Sequence, residues 1–182
     1  MTTEAVQERT GQITFKGNPM TLIGPELKVG DKAPDFTLTS TDLGQVTWSE
    51  VSNNGERAVL LILVPSIDTS VCSLETNKFN KHVASLPADK IKVVTVSADT
   101  PFAQKRWATQ ENVNNIELLS DYRDHSFADA FGVRIKELAL LTRAIYLIDK
   151  DRRVKYVELV SEVATEPDYD AVLKAARGLV GA

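Results

Sequence analysis

Sulfur is scarce in this chain, whose 182 residues include two methionines and a single cysteine, Cys72. One cysteine cannot close an internal disulfide, so the fold must rest on packing, and an unpaired thiol suits a reducing compartment better than an oxidising one. Histidine is almost as rare. His82 and His125, with one cysteine, make no metal-binding spacing, and no second nucleophile accompanies them, so both read as surface residues. Long apolar runs are missing too: the longest, residues 58–64, falls far short of the roughly 18 residues that cross a bilayer. The polar opening Met1-Thr-Thr-Glu-Ala-Val-Gln-Glu-Arg9 lacks a signal peptide's apolar core. A cytoplasmic protein without a membrane partner is expected. No block of five or six like charges occurs and the net charge is -4, which makes nucleic acid a poor partner and leaves a small neutral substrate unopposed.

What is there is an ordinary globular composition, 43% hydrophobic and 25% charged, in a chain long enough to bury roughly two thirds of its unfolded surface. Residues 1–10 show no periodicity and are expected to form a flexible tail ahead of one domain over 11–182. Residues 13–15 and 20–23 flank Lys16-Gly-Asn-Pro19 as a hairpin, and a strand over 36–38 follows a turn-rich stretch. Then strand and helix signals alternate. A strand at 57–64, a helix at 70–86, a strand at 91–97, a helix opened by Pro101, a strand at 116–120 and a short helix at 126–131 precede strands at 144–149 and 154–160 around Lys150-Asp-Arg-Arg153. A last helix opens at Thr165-Glu-Pro-Asp-Tyr169, with Pro167 in its first turn and Tyr169, Val172, Leu173, Ala176 and Val180 on one face. The pattern predicts an α/β fold with a mixed sheet flanked by helices on both faces.

Cys72 sits where a buried strand hands over to a helix, and Thr69 is a natural N-cap three residues before it. In the first helical turn, unpaired N–H groups and the positive end of the dipole favour a thiolate, the reactive form. Against this, Val71, Leu74, Phe79, Val83 and Leu86 form an apolar half that includes Cys72, and a lone cysteine is often a small core residue. A carboxylate at Asp68 opposes a thiolate and calls for a compensating cation. Arg143 is a candidate by residue type, but spacing does not bring it to Cys72.

Pro65, Thr69 and Cys72 match the peroxiredoxin motif of proline, three residues, threonine, two residues, cysteine. The extended run Pro65-Ser-Ile-Asp-Thr-Ser-Val-Cys72, Lys78-Phe-Asn80, Ser97-Ala-Asp-Thr-Pro-Phe-Ala-Gln104, Thr142-Arg-Ala144 and Thr165-Glu-Pro-Asp-Tyr169 resemble, in order, the bacterial thiol peroxidase subfamily. The resemblance implies a thioredoxin-like fold with an N-terminal β-hairpin and no metal or organic cofactor. It makes Cys72 the peroxidatic nucleophile, which becomes a sulfenic acid on attacking a peroxide. Thr69 and local amides would orient the peroxide, Arg143 would supply positive charge, and Pro65 would shield the sulfenic acid. It also implies a homodimer, to which Phe102 and the surroundings of Asp68 could contribute, and thioredoxin or another thiol as reductant.

One position departs from the pattern: where the subfamily carries its resolving cysteine after arginine and phenylalanine, this chain reads Arg106-Trp107-Ala108. With Ala108 in the resolving position, reduction of Cys72 must come from outside. This is either a natural one-cysteine variant or a replacement of the cysteine. The rival reading is a thioredoxin-fold redox sensor or binding protein that oxidises slowly. Trp107 is expected to pack in the core, Asp99-Thr100-Pro101 to cap a helix, and Glu75, Glu111 and Glu117 to lie on solvated faces.

Overall fold

The computed structural model describes residues 6–182. Strands β1 (Glu8–Phe15) and β2 (Asn18–Ile23) pair antiparallel as the expected hairpin, though around a tighter turn. Lys16 and Gly17 alone make the connection, both at positive φ (50° and 78°), the geometry of a two-residue turn whose twist matches that of its strands. The hairpin begins earlier than its apolar pattern suggested. Glu8 pairs with Ile23 and Arg9 with Leu22, and Arg9 also donates to Gly132 O at 2.8 Å. Residues 8–10 therefore belong to the fold through main-chain pairing that periodicity does not reveal, and the first five residues of the expected tail lie outside the described residues.

Next come β3 (Thr37–Ser40), β4 (Gln45–Thr47), the single turn α1 (Trp48–Val51), β5 (Ala58–Leu63) and α2 (Ser70–His82). They are followed by β6 (Ile91–Ser97), α3 (Pro101–Glu111), β7 (Glu117–Ser120), α4 (Ser126–Ala130), β8 (Arg134–Ile135) and β9 (Leu140–Leu141). The chain closes with β10 (Ala144–Ile148), β11 (Val154–Leu159) and α5 (Tyr169–Val180). The main sheet runs β11-β10-β5-β6-β7-β3-β4. Its centre β5-β6-β7 is parallel, and the flanking pairs are antiparallel. A second sheet, β1-β2-β8-β9, carries the hairpin. This is the mixed, helix-flanked α/β architecture expected.

β5 reads as an unbroken apolar run because both its faces are covered. Leu60 and Ile62 face a core with Phe79, Trp107, Ile145 and Val172. Val59, Leu61 and Leu63 face one with Phe36, Trp48, Phe127 and Tyr146. Each fully buried side chain of this kind contributes about 1.5–3 kcal/mol, which makes β5 a rigid stem for the loop at its end. The last helix is capped by Asp168, whose side chain accepts from Ala171 N at 3.0 Å. Pro167 thus stands just before the cap rather than in the first turn.

Candidate active site

Pro65 follows the end of β5, and its missing N–H keeps it out of a strand ladder. The next residues are gripped from β6: Asp99 accepts from Ser66 Oγ at 2.6 Å, from Ile67 N at 2.9 Å and from Ser97 Oγ at 2.6 Å. Thr69 then caps α2. Its Oγ1 donates to Ser66 O at 3.1 Å and accepts from Cys72 N at 3.3 Å. Cys72 lies in the first turn and is wholly buried, in contact with the Phe79 and Trp107 side of the core. Asp99 is therefore not a helix cap. Thr100 caps α3, with its side chain accepting from Ala103 N.

Strand register supplies what spacing could not. Ala144 pairs with Leu63, so the residue before β10 falls beside the end of β5. Arg143, 1% exposed, donates from Nη2 to Cys72 Sγ at 3.2 Å and from Nε to Val163 O at 2.9 Å. Its Nη1 forms an ion pair with Glu75, whose side chain is fully buried. The expectation that Glu75 is solvated is overturned. Glu75 lies one turn from Cys72, on the same helix face, and that face is rotated from the one the apolar residues suggested. Cys72, Glu75, Thr76, Phe79 and Asn80 are buried, whereas Leu74 is 48% exposed. A carboxylate three residues from a first-turn cysteine was the available signal.

Burial pushes the Glu75 carboxyl up to about 7, against the opposing charge of Arg143. For Arg143 burial works against the charge, yet the acidic partners Glu75 and Cys72 outweigh it and raise its value. One guanidinium thus serves two acids where both cannot ionise without leaving a net negative charge out of water.

Beside this cluster lies a cavity of about 240 Å³ with mainly apolar walls, lined by Pro65, Thr69, Arg143, Phe15, Ile135 and Val163, among others. Of the residues singled out in the sequence, Pro65, Thr69, Arg143 and Cys72 come together. Ala108, half-buried on α3, packs against the same core as Cys72. Trp107, expected in the core, is 6% exposed, and its indole donates to Ser73 Oγ at 3.1 Å, tying α3 to the residue after Cys72. His82 is exposed and His125 half-buried. Phe102 is exposed, and Asp68 pairs with Arg106 on the surface. No helix among the described residues is long and apolar enough to cross a membrane.

The chain is similar to known proteins over most of its length. The redoxin family profile matches residues 28–173. A thiol peroxidase of Halalkalibacterium halodurans is 50% identical over 165 residues, covering 91% of this chain and 96% of that protein. One of Bacillus subtilis is 44% identical over 169 residues, covering 93% and 98%. Among solved structures, a peroxiredoxin-like protein from Aquifex aeolicus superposes with a TM-score of 0.86 at 39% identity, over 94% of this chain and 99% of that one. A thiol peroxidase from Chromobacterium violaceum shares the fold, with a TM-score of 0.80 at 22% identity over 91% and 95%.

Proposed function

Because this chain belongs to the redoxin family and, within it, to the thiol peroxidases, we propose that it reduces H2O2 and organic hydroperoxides with Cys72 as the nucleophile. The thiolate attacks the terminal peroxide oxygen, the S–O bond forms as O–O breaks, and the departing hydroxide or alkoxide leaves as water or alcohol after taking up a proton. Arg143 stabilises both the thiolate and the charge that develops on the leaving oxygen, a use of preorganised charge in a dry site. Thr69 has already committed its hydroxyl proton to Ser66 O, so toward the peroxide it serves as an acceptor and fixes the O–H of the incoming molecule. The amides of Ser70 and Val71, which lack intrahelical acceptors at the start of α2 and line the cavity, supply donors. Pro65 forms a wall that keeps water from the resulting sulfenic acid. The observation that carries this reading is the 3.2 Å contact between the guanidinium and the only sulfur nucleophile of the chain.

With Ala108 where the resolving cysteine stands in the subfamily, the sulfenic acid condenses with an external thiol, releasing water and leaving a mixed disulfide. A second thiol then returns Cys72 to the reduced state. Thioredoxin, or another thiol of the cytoplasm, is the reductant, and the working form is a homodimer. Stopped-flow mixing of reduced protein with one equivalent of H2O2 tests the first step. Trp107 is a built-in reporter through its bond to Ser73. A fast fluorescence change yielding a protein heavier by one oxygen, abolished by Cys72→Ser, is expected. A rate no better than a free thiol's would replace the enzyme with a slow redox sensor.

A further inference from the structure

The two ends of the cavity's rim come from distant parts of the chain, yet one carboxylate joins them. Phe15 and Lys16, at the tip of the β1–β2 hairpin, face the same space as Val163 and Ala164, which follow β11. Glu162 lies between them. It accepts from Thr14 Oγ1 at 2.7 Å, Lys16 N at 2.9 Å and Gly17 N at 3.0 Å on the hairpin side, and from Ala164 N at 3.0 Å on the other. The positive φ angles of Lys16 and Gly17 turn both amides toward it, and successive amides so aimed make a concavity that holds an anion. Main-chain bonds continue the seam: Thr14 N donates to Ser161 O at 2.7 Å and Val163 N to Thr14 O at 2.8 Å.

We propose that Glu162 is a positioning residue, a latch whose carboxylate fixes the spacing of the two rim segments and so sets the width of the slot that receives the organic part of a hydroperoxide. This rests on the peroxidase reading above and takes the cavity beside Arg143 and Thr69 as the peroxide's way in. Three of its four partners are main-chain amides, whose places follow the backbone, so the latch controls backbone position rather than a mobile side chain. A small, symmetric peroxide needs only the Cys72 and Arg143 end of the site. A bulky tail must also lie between Phe15 and Ala164, so its reaction depends more steeply on their separation. Accepting first from the amides of Ala164 and Gly17 and then from the Thr14 hydroxyl holds the carboxyl well below the usual carboxylate range. The latch is thus closed at any pH near neutrality.

Glu162→Gln keeps the side chain's shape but turns one oxygen into a donor that faces amide donors. Three readouts on folded protein decide the matter. Amide exchange at Lys16 and Gly17 should accelerate by about tenfold or more as the hairpin tip loosens. Cumyl alcohol, the reduction product of cumene hydroperoxide, which keeps its organic part and lacks the O–O bond, should bind several-fold more weakly, as followed by the NMR shifts of Phe15 and Ala164. The ratio of Cys72 oxidation rates, cumene hydroperoxide over H2O2, should fall by about tenfold, the scale of a small misplacement of substrate. Should Glu162→Gln not fold, Thr14→Val deletes one of the four contacts and should move all three readouts in the same direction by less. An unchanged ratio with unchanged alcohol binding would overturn the latch. Slow oxidation of the unaltered protein by both peroxides would overturn the peroxidase reading alone, and alcohol binding and amide exchange would still uphold or overturn the latch.

Discussion

Replacing Glu75 by glutamine removes a buried acid while keeping its shape and an acceptor for Arg143. In the folded protein burial raises this carboxyl from 4.5 to about 7, a gap worth about 3 kcal/mol. Below pH 4.5 the acid is neutral in both folded and unfolded chains. Between 4.5 and 7 the unfolded chain releases its proton first, so rising pH favours unfolding, and above 7 the whole penalty is present. The glutamine variant carries no such term. Its stability relative to the unaltered protein should therefore rise by about 3 kcal/mol between pH 4 and pH 8, or roughly 6–12 °C in melting temperature for a chain of this size. Asp121, which burial raises to about 6, adds a decline to both proteins and cancels in the difference. Denaturant unfolding of the two reduced proteins across this range is the assay. Parallel stability curves would refute the account, because they would mean that Glu75 titrates alike in both states.

Three further outcomes follow from the site. Arg143→Gln should slow Cys72 oxidation by about 10²–10³, the usual cost of losing a preorganised charge at a reacting centre; a loss under tenfold by stopped flow would remove the arginine from the mechanism. Thr69→Val should cost about 1 kcal/mol of stability through the lost cap and also slow oxidation, whereas a purely structural role would show only the first effect. Ala108→Cys should convert the oxidation product from a species heavier by one oxygen to one lighter by two hydrogens, read by intact mass. Persistence of the sulfenic acid would show that this position cannot resolve it.

The sheet was legible because its signals are local. β5 and β10 are apolar runs, β6 is rich in β-branched residues, and Pro101 and the cap at Thr69 mark helix starts that the structure keeps. Two-residue strands such as β8 and β9 carry no periodicity, and Glu8 joins the hairpin through main-chain bonds that any residue can make. At the site, the proline, threonine and cysteine lie within eight residues and read as a unit. Arg143 does not, since its approach depends on the register of β10 against β5. Glu75 is not legible locally, because charged residues are almost never fully buried unless paired and its partner is 68 residues away. Asp99 likewise sits in a sequence that looks like a cap, and only the return of β6 beside β5 shows what it holds.

The depth of Cys72 has a consequence for timing. A sulfur with no exposed surface, behind the wall of a cavity of about 240 Å³, is reached by a reagent as slim as a peroxide after a small side-chain shift, whereas a protein or a broad electrophile needs the helix itself to move. The two halves of a catalytic cycle then make opposite demands on one helical turn. Attack is quickest with the turn wound, while a partner thiol must catch the oxidised sulfur with the turn unwound. The cap at Thr69, the grip of Asp99 on Ser66 and Ile67, and the Trp107 bond to Ser73 all favour winding. Fraying of α2 then acts as a clock, and with abundant reductant the turnover rate is expected to level off at the frequency with which that first turn opens.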